Sequence, residues 1–228
     1  MSRIRDWLGQ KGFNRAKMDW LFFRRIASKW LMIPYLSKEQ RRAIVSTGDP
    51  IRYGTVFLAL EEISRSPIPG SFAECGVYKG AMSKFLHGML PDRQLFLFDT
   101  FRGFDSRDSD THSDARFRDT SVERVLRYIG DKSNIQIRKG YFPESAAGLE
   151  AERFSLVMID FDKYEPTLAA LQFFYPRVSP GGFIFVHDYS SPESDWACSR
   201  ALNAFLSGKP EKPVLVPDAW GSALFRKL

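Results

Sequence analysis

From Ser71 onward the hydrophobic pattern alternates between two periods. Short continuous apolar runs, such as Phe154-Ser-Leu-Val-Met-Ile159 and Gly182-Phe-Ile-Phe-Val186, alternate with segments whose apolar residues share one helical face. Continuous runs mark strands covered on both faces, as in a parallel sheet, whereas a half-exposed strand would alternate. Between the two quoted runs, Leu168, Leu171 and Tyr175 line one face of a helix. Candidate strands fall at 71–77, 94–99, 135–139, 154–160, 182–187, 213–217 and 222–227. Candidate helices fall at 80–90, 120–130, 164–175 and 195–207. Only Asp218-Ala-Trp-Gly221 separates the last two strands, too little for a parallel crossover, so they form an antiparallel hairpin closed by Trp220-Gly221 as a structural turn. The pattern predicts an α/β fold: a doubly wound, seven-stranded, mostly parallel sheet with an antiparallel C-terminal hairpin.

Both apolar runs end in acids, and that places chemistry. Parallel strands point their C-terminal ends the same way, so Asp160 and Asp162 should meet His187 and Asp188 at one rim of the sheet. Open α/β sheets bind ligands at that rim. Three carboxylates and an imidazole repel unless a positive charge sits among them, and a hard divalent cation such as Mg²⁺ or Mn²⁺ suits oxygen ligands. A lone acid at a strand end more often caps the strand or the next helix; two clusters on neighbouring strands make the metal reading competitive.

The first strand breaks into Glu74-Cys-Gly76-Val-Tyr-Lys-Gly80 and then a helix. Gly76 permits close backbone approach, and Gly80 opens the helix at its partly positive N-terminus. The spacing is not Gly-x-Gly-x-x-Gly, which argues against a dinucleotide. About twenty residues on, Asp99 ends the second strand, placed for ribose hydroxyls. The 105–119 loop that follows is long and acidic, the form of a lid or acceptor-binding loop, and its His112 reads as a surface residue. His87, on the preceding helix, reads as surface or as a satisfied polar group.

Before residue 66 the pattern is helical. Met18, Phe22, Ile26 and Trp30 recur every fourth residue within 3–33, a second helix follows the N-cap Ser37 to Val45, and a third covers about 51–64. The expected organisation is a helical region 1–66 and a sheet domain 67–228. Charge sharpens that division. The net charge is +6, yet residues 1–50 hold eleven Lys/Arg against four Asp/Glu and the remainder 22 against 23. The basic surplus therefore belongs to the N-terminal region, remote from the rim, which argues against a nucleic-acid partner at the site. Basic residues interleaved with Trp7, Phe13, Trp20 and Trp30 suggest a packing face, a dimer contact, or a membrane-surface arm in 1–33. Two cysteines, Cys75 and Cys198, exclude a disulfide scaffold, and no signal or membrane-spanning run is visible, so a cytoplasmic location is expected.

Taken in order, Glu74-Cys-Gly76-Val-Tyr-Lys-Gly80, Asp99-Thr-Phe-Arg-Gly103, Lys139-Gly-Tyr-Phe142, Asp160-Phe-Asp-Lys-Tyr164, Ser179-Pro-Gly-Gly182 and His187-Asp-Tyr189 resemble the macrocin O-methyltransferase (TylF/MycF-like) family over about residues 50–228. The seven strands ending in a hairpin likewise resemble the class I, Rossmann-like architecture of S-adenosylmethionine-dependent methyltransferases. The resemblance implies a cofactor set of Glu74, Gly76, Tyr78, Gly80, Asp99, Thr100, Tyr141, Phe142 and Asp160. It implies Mg²⁺ bound by Asp160 and Asp188, with Asp162 as base. His187 stands where the family has an acid, and so reads as a third ligand, favouring Mn²⁺ or another transition metal, or as the base itself. The implied reaction is methyl transfer to a hydroxyl of a small acceptor, a sugar or a phenol, by a homodimeric enzyme. Three rivals remain: a membrane-surface or acidic-partner module, a non-catalytic relative, and a nicotinamide oxidoreductase, which the missing third glycine and the terminal hairpin oppose.

Overall fold

The buried apolar runs become the strands of one seven-stranded sheet in the computed structural model, which describes residue 33 and residues 35–108, 114–130 and 132–228. The strands are β1 (Ser71–Cys75), β2 (Leu95–Asp99), β3 (Ile135–Lys139), β4 (Phe154–Ile159), β5 (Val178–Val186), β6 (Val214–Val216) and β7 (Ser222–Arg226). Helices α1 (Lys38–Val45), α2 (Pro50–Arg65), α3 (Ala81–Met89), α4 (Val122–Ile129), α5 (Tyr164–Phe174) and α6 (Ala197–Leu206) complete the described elements. The order across the sheet is β3-β2-β1-β4-β5-β7-β6. The first five strands pair in parallel, while β7 lies antiparallel between β5 and β6. The predicted doubly wound sheet and its terminal hairpin are both present.

The chain divides into two compact units, Met1–Gly54 and Thr55–Leu228. In the first, Ser37 and Gln40 form a capping box that satisfies the opening N–H groups of α1. The helix expected within 3–33, and with it the membrane-surface reading, lies outside the described residues, as do the middle of the 105–119 loop and His112. Among the described residues no helix is long and apolar enough to cross a membrane.

β5 starts four residues earlier than expected. Val178 pairs with Phe154, and the register resumes only at Phe183 opposite Leu156, so Ser179-Pro-Gly-Gly182 forms an irregularity inside the strand. Pro180 has no N–H to give the ladder, which is why the apolar pattern alone starts the strand at Gly182. On one face of the sheet an aromatic cluster fills the core: Phe98 meets Phe142 and Phe174 edge-on, each at 5.6 Å, and Phe154 meets Phe174 at 4.9 Å. His87 is buried in α3 at 4% exposure, so it is not a surface residue.

One row of backbone hydrogen bonds crosses the C-terminal rim. Gly140 N–H donates to Asp99 O, Gly76 N–H to Phe98 O, Asp160 N–H to Cys75 O, and His187 N–H to Ile159 O, at 2.7–3.0 Å. These bonds hold the residues after β1, β4 and β5 at one level beside the end of β2. β1 and β4 are the neighbours from which the chain winds in opposite directions, the position where such sheets bind ligands. Gly76 (φ +89°) approaches Asp160 so closely there that a Cβ would stand 1.9 Å from the Asp160 carbonyl oxygen.

At the far edge, Glu211 is buried and accepts hydrogen bonds from Tyr175 Oη (2.8 and 2.9 Å), Lys227 Nζ (3.1 Å) and Leu228 N–H (3.3 Å). Burial pushes its carboxyl up, but the hydrogen bonds donated by Tyr175, the backbone and Lys227 outweigh it and bring the value down from 4.5 to about 2.

Two outcomes follow. A carboxyl depressed on folding adds stability above its unfolded value, and that stability is lost as pH falls through the folded value. Urea unfolding of the wild type should therefore lose roughly 2–3 kcal/mol between pH 5 and 2 from Glu211 alone. In Glu211→Gln that component disappears and pH 7 stability drops by a similar amount; parallel pH profiles would refute the assignment. Gly76→Ala forces the Asp160 backbone away. It should cost about 2–4 kcal/mol, as overpacking at a strained backbone position does, whereas Gly148→Ala, which has open space, should cost only its left-handed φ.

Candidate active site

The turn after β1 is held by a single carboxylate. Asp99 Oδ2 accepts the N–H groups of Val77 (2.7 Å) and Tyr78 (2.9 Å), and Oδ1 accepts that of Phe101 (2.6 Å). Tyr78 and Phe101 both sit at positive φ, 48° and 54°, and these bonds offset the strain. Thr100 Oγ1 donates to Gly103 O and shapes the second turn. Gly80 (φ +79°) caps α3 without a side chain, leaving the first N–H groups of that helix directed at the turn. Gly76, Tyr78, Gly80, Asp99 and Thr100 are thus gathered around one concave turn. Glu74 is placed differently: its carboxylate is buried within β1 and accepts the hydroxyl of Ser83 on α3. Tyr141 donates to Asp108 Oδ1 at 2.8 Å beneath the Arg107 guanidinium, 3.8 Å from the ring centre, and burial with the Asp108 charge pushes its hydroxyl up. Phe142 is 2% exposed and belongs to the aromatic core.

The acids converge as the strand geometry requires. His187 Nδ1 lies 3.0 Å from Asp160 Oδ1 and 3.4 Å from Asp188 Oδ1. One donor atom from each of the three lies within 4.8 Å of the others. His187 Nε2 is 3.1 Å from Ala219 O, and a carbonyl only accepts, so Nε2 carries a proton. Burial pushes the Asp162 carboxyl well above its ordinary value; a hydrogen bond with Asp188 and the charges of Asp160 and Asp188 add to this, while Arg116 opposes it. Asp162 and Asp188 both occupy the left-handed region, at φ 61° and 55°. Non-glycine residues there are uncommon and often functional.

A cavity of about 840 Å³ opens at Lys163, the residue after Asp162, and is lined by Asp114, Arg116, Lys163, Glu193, Asp195 and Arg200, among others; Asp160, Asp162, His187 and Asp188 do not line it. Arg116 pairs with Asp114 at 2.8 Å and with Glu193 at 3.4 Å, bridging the loop after β2 to the turn after β5. The motifs gave no sign of Arg116 or Glu193, because the loops that carry them have no regular period, nor of Arg200, a polar position on α6. Asp114 and Lys163 were visible only as neighbours of better signals.

Comparison with known proteins identifies the family and agrees with the fold. The model of the macrocin-O-methyltransferase (TylF) family matches residues 46–227. The mycinamicin III 3''-O-methyltransferase of Micromonospora griseorubida is 28% identical over 166 residues, 64% of this chain and 64% of that protein. An 8-demethyl-8-(2,3-dimethoxy-alpha-L-rhamnosyl)-tetracenomycin-C 4'-O-methyltransferase of Streptomyces olivaceus is 28% identical over 164 residues, 64% of this chain and 61% of that protein. The matches thus span less than two thirds of these relatives' lengths. Among solved structures, the O-methyltransferase NovP superposes with a TM-score of 0.68 at 21% identity, covering 78% of this chain and 80% of its own. The calicheamicin methyltransferase CalS11 does so with 0.61 at 19% identity, covering 90% and 91%. With its fold, its ordered motifs and a family match over most of its length, the chain belongs to the macrocin O-methyltransferase (TylF) family.

Proposed function

We propose that this chain transfers a methyl group from S-adenosylmethionine to a hydroxyl of a sugar within a glycoside, with a divalent cation held by Asp160, His187 and Asp188. The observation that carries the metal is the pairing of His187. Nε2 already donates to Ala219 O, and Nδ1 lies 3.0 Å from Asp160 Oδ1 and 3.4 Å from Asp188 Oδ1. A neutral imidazole has one N–H and cannot satisfy both sides, so the cluster calls for a positive charge at Nδ1. The bond to Ala219 also fixes the tautomer that turns Nδ1 toward the acids, as at known metal-binding histidines. A bound cation would act there as a Lewis acid, lowering the pKa of an acceptor hydroxyl and fixing its direction.

The remaining work falls to the chain's own residues. Gly76 lets the cofactor turn lie against the backbone of Asp160, so that the sulfonium methyl and the acceptor share one small space. Asp99 keeps the turn in shape and presents the edge where ribose hydroxyls would bind. Asp162, next to the proposed cation ligands Asp160 and Asp188, receives the acceptor proton. His187 is not assigned that task, because both of its ring nitrogens are engaged. Charged and polar cavity walls favour a polyhydroxylated acceptor over a bare phenol, and the name of one relative specifies 4'-O-methylation of a rhamnosyl-tetracenomycin.

Calorimetric titration of S-adenosylhomocysteine, and separately of Mn²⁺ and Mg²⁺, tests the two binding claims directly. Cofactor Kd on the order of 1–100 μM, and Mn²⁺ binding lost in Asp160→Asn and Asp188→Asn, are expected. Asp162→Asn should slow methyl transfer to methyl α-L-rhamnopyranoside roughly 10²–10⁴-fold while cofactor affinity stays within about twofold. Full transfer by the Asn variant would remove Asp162 as the base, and cofactor binding without any turnover by the wild type would favour a non-catalytic relative.

A further inference from the structure

Two tryptophans outside every motif stand at the same rim with half their surface in solvent. Trp196 is 51% exposed and Trp220 is 48% exposed. Both have left-handed backbones, at φ 51° and 64°. A bulky residue at positive φ is a real outlier, and such strain tends to persist where function maintains it. Each tryptophan thus combines an unfavourable backbone with a large apolar ring that folding does not bury. Among the described residues, no aromatic ring or cation covers either indole. The other exposed faces nearby are capped: Phe104 by Lys163 at 4.6 Å, Tyr78 by Lys79 at 4.7 Å, and Tyr141 by Arg107.

Their backbones place both beside the reacting groups. Trp196 N–H donates to Ser191 O at 3.1 Å, and Ser190 N–H donates to Trp220 O at 3.0 Å. The two turns are therefore tied to adjacent residues, two and three positions beyond Asp188. Trp220 directly follows Ala219, whose carbonyl holds His187. Trp196 lies between Asp195 and Ala197, which both line the cavity at Lys163.

Building on the sugar-acceptor reading above, we infer that Trp196 and Trp220 form a stacking platform for a second ring of the acceptor, the sugar or aglycone unit joined to the sugar that is methylated. An indole face suits the C–H face of a pyranose or a flat ring, and its N–H can meet a hydroxyl. The acids bind the reacting hydroxyls and the tryptophans select what those hydroxyls are attached to. They are specificity residues, not catalytic ones.

Phenyl α-L-rhamnopyranoside, with two rings, and methyl α-L-rhamnopyranoside, with one, separate these roles when titrated with S-adenosylhomocysteine and Mn²⁺ present. The wild type should bind the phenyl glycoside more tightly, with a change in indole fluorescence. Trp196→Ala and Trp220→Ala should each raise its Kd about 3- to 10-fold and that of the methyl glycoside by less than about twofold. Trp196→Phe and Trp220→Phe should recover most of the loss, which a folding defect would not allow. Equal affinity of the wild type for both glycosides, or equal weakening of both in the Ala variants, overturns the platform and leaves the sugar-acceptor reading intact. A wild type that binds S-adenosylhomocysteine but neither glycoside overturns that reading and the platform with it.

Discussion

The close approach of Gly76 to the backbone of Asp160 is the constraint on which the site depends. A sheet rim can gather residues from several strands only if the strands end at one level, and here four backbone hydrogen bonds set that level across β3, β2, β1, β4 and β5. Gly76 goes further, bringing the β1 turn into contact with the Asp160 peptide where any side chain would collide. The glycine turn and the acid motif then form one rigid unit. Asp99 extends that unit to β2 by accepting N–H groups from two different turns. Placement within a few tenths of an ångström is what proximity catalysis demands, and a buried backbone ladder supplies it better than flexible side chains do.

The electrostatics of the rim follow from that rigidity. Asp160, Asp162 and Asp188 are held close together, so burial first, and then the hydrogen bond with Asp188 and the neighbouring charges, raise the Asp162 carboxyl, and an imidazole lies among them. With His187 where the family resemblance places an acid, the cluster holds one negative charge fewer and one nitrogen donor more. Imidazole suits Mn²⁺ and later transition metals better than Mg²⁺. On the metal-binding reading proposed above, that exchange would favour Mn²⁺ over Mg²⁺. The Ala219 carbonyl makes the exchange workable, because it fixes which nitrogen faces the acids.

The sheet, its parallel order and the final hairpin were legible in the sequence because continuous apolar runs and a four-residue connection leave few alternatives. Asp160, Asp162, His187 and Asp188 were legible for the same reason: the end of a buried strand fixes where the next residue stands. What escaped lies where no period exists. The early start of β5 was hidden by Ser179-Pro-Gly-Gly182, which pairs irregularly. Phe142 follows β3, where an aromatic ring can serve either a cofactor or the core, and it packs against Phe98 and Phe174, a choice that only tertiary contacts reveal. Glu74 carries the motif position but spends its carboxylate on Ser83. Arg116 and Glu193 are 77 residues apart and meet only through tertiary structure.

Backbone strain shows the same division of labour from another side. Tyr78, Phe101, Phe117, Asp162, Asp188, Asp195, Trp196 and Trp220 all have positive φ, and all lie in the turns and loops at the C-terminal ends of the parallel strands. At the opposite rim Asn134 has such a backbone, and asparagine tolerates it best. Each such residue costs about 1 kcal/mol or more, and chance would scatter them over both ends of the sheet. The core beneath, with its interlocked phenylalanines, can offset that cost without changing shape. The strands therefore carry stability and one set of loops, at the rim where the acids meet, carries the strain.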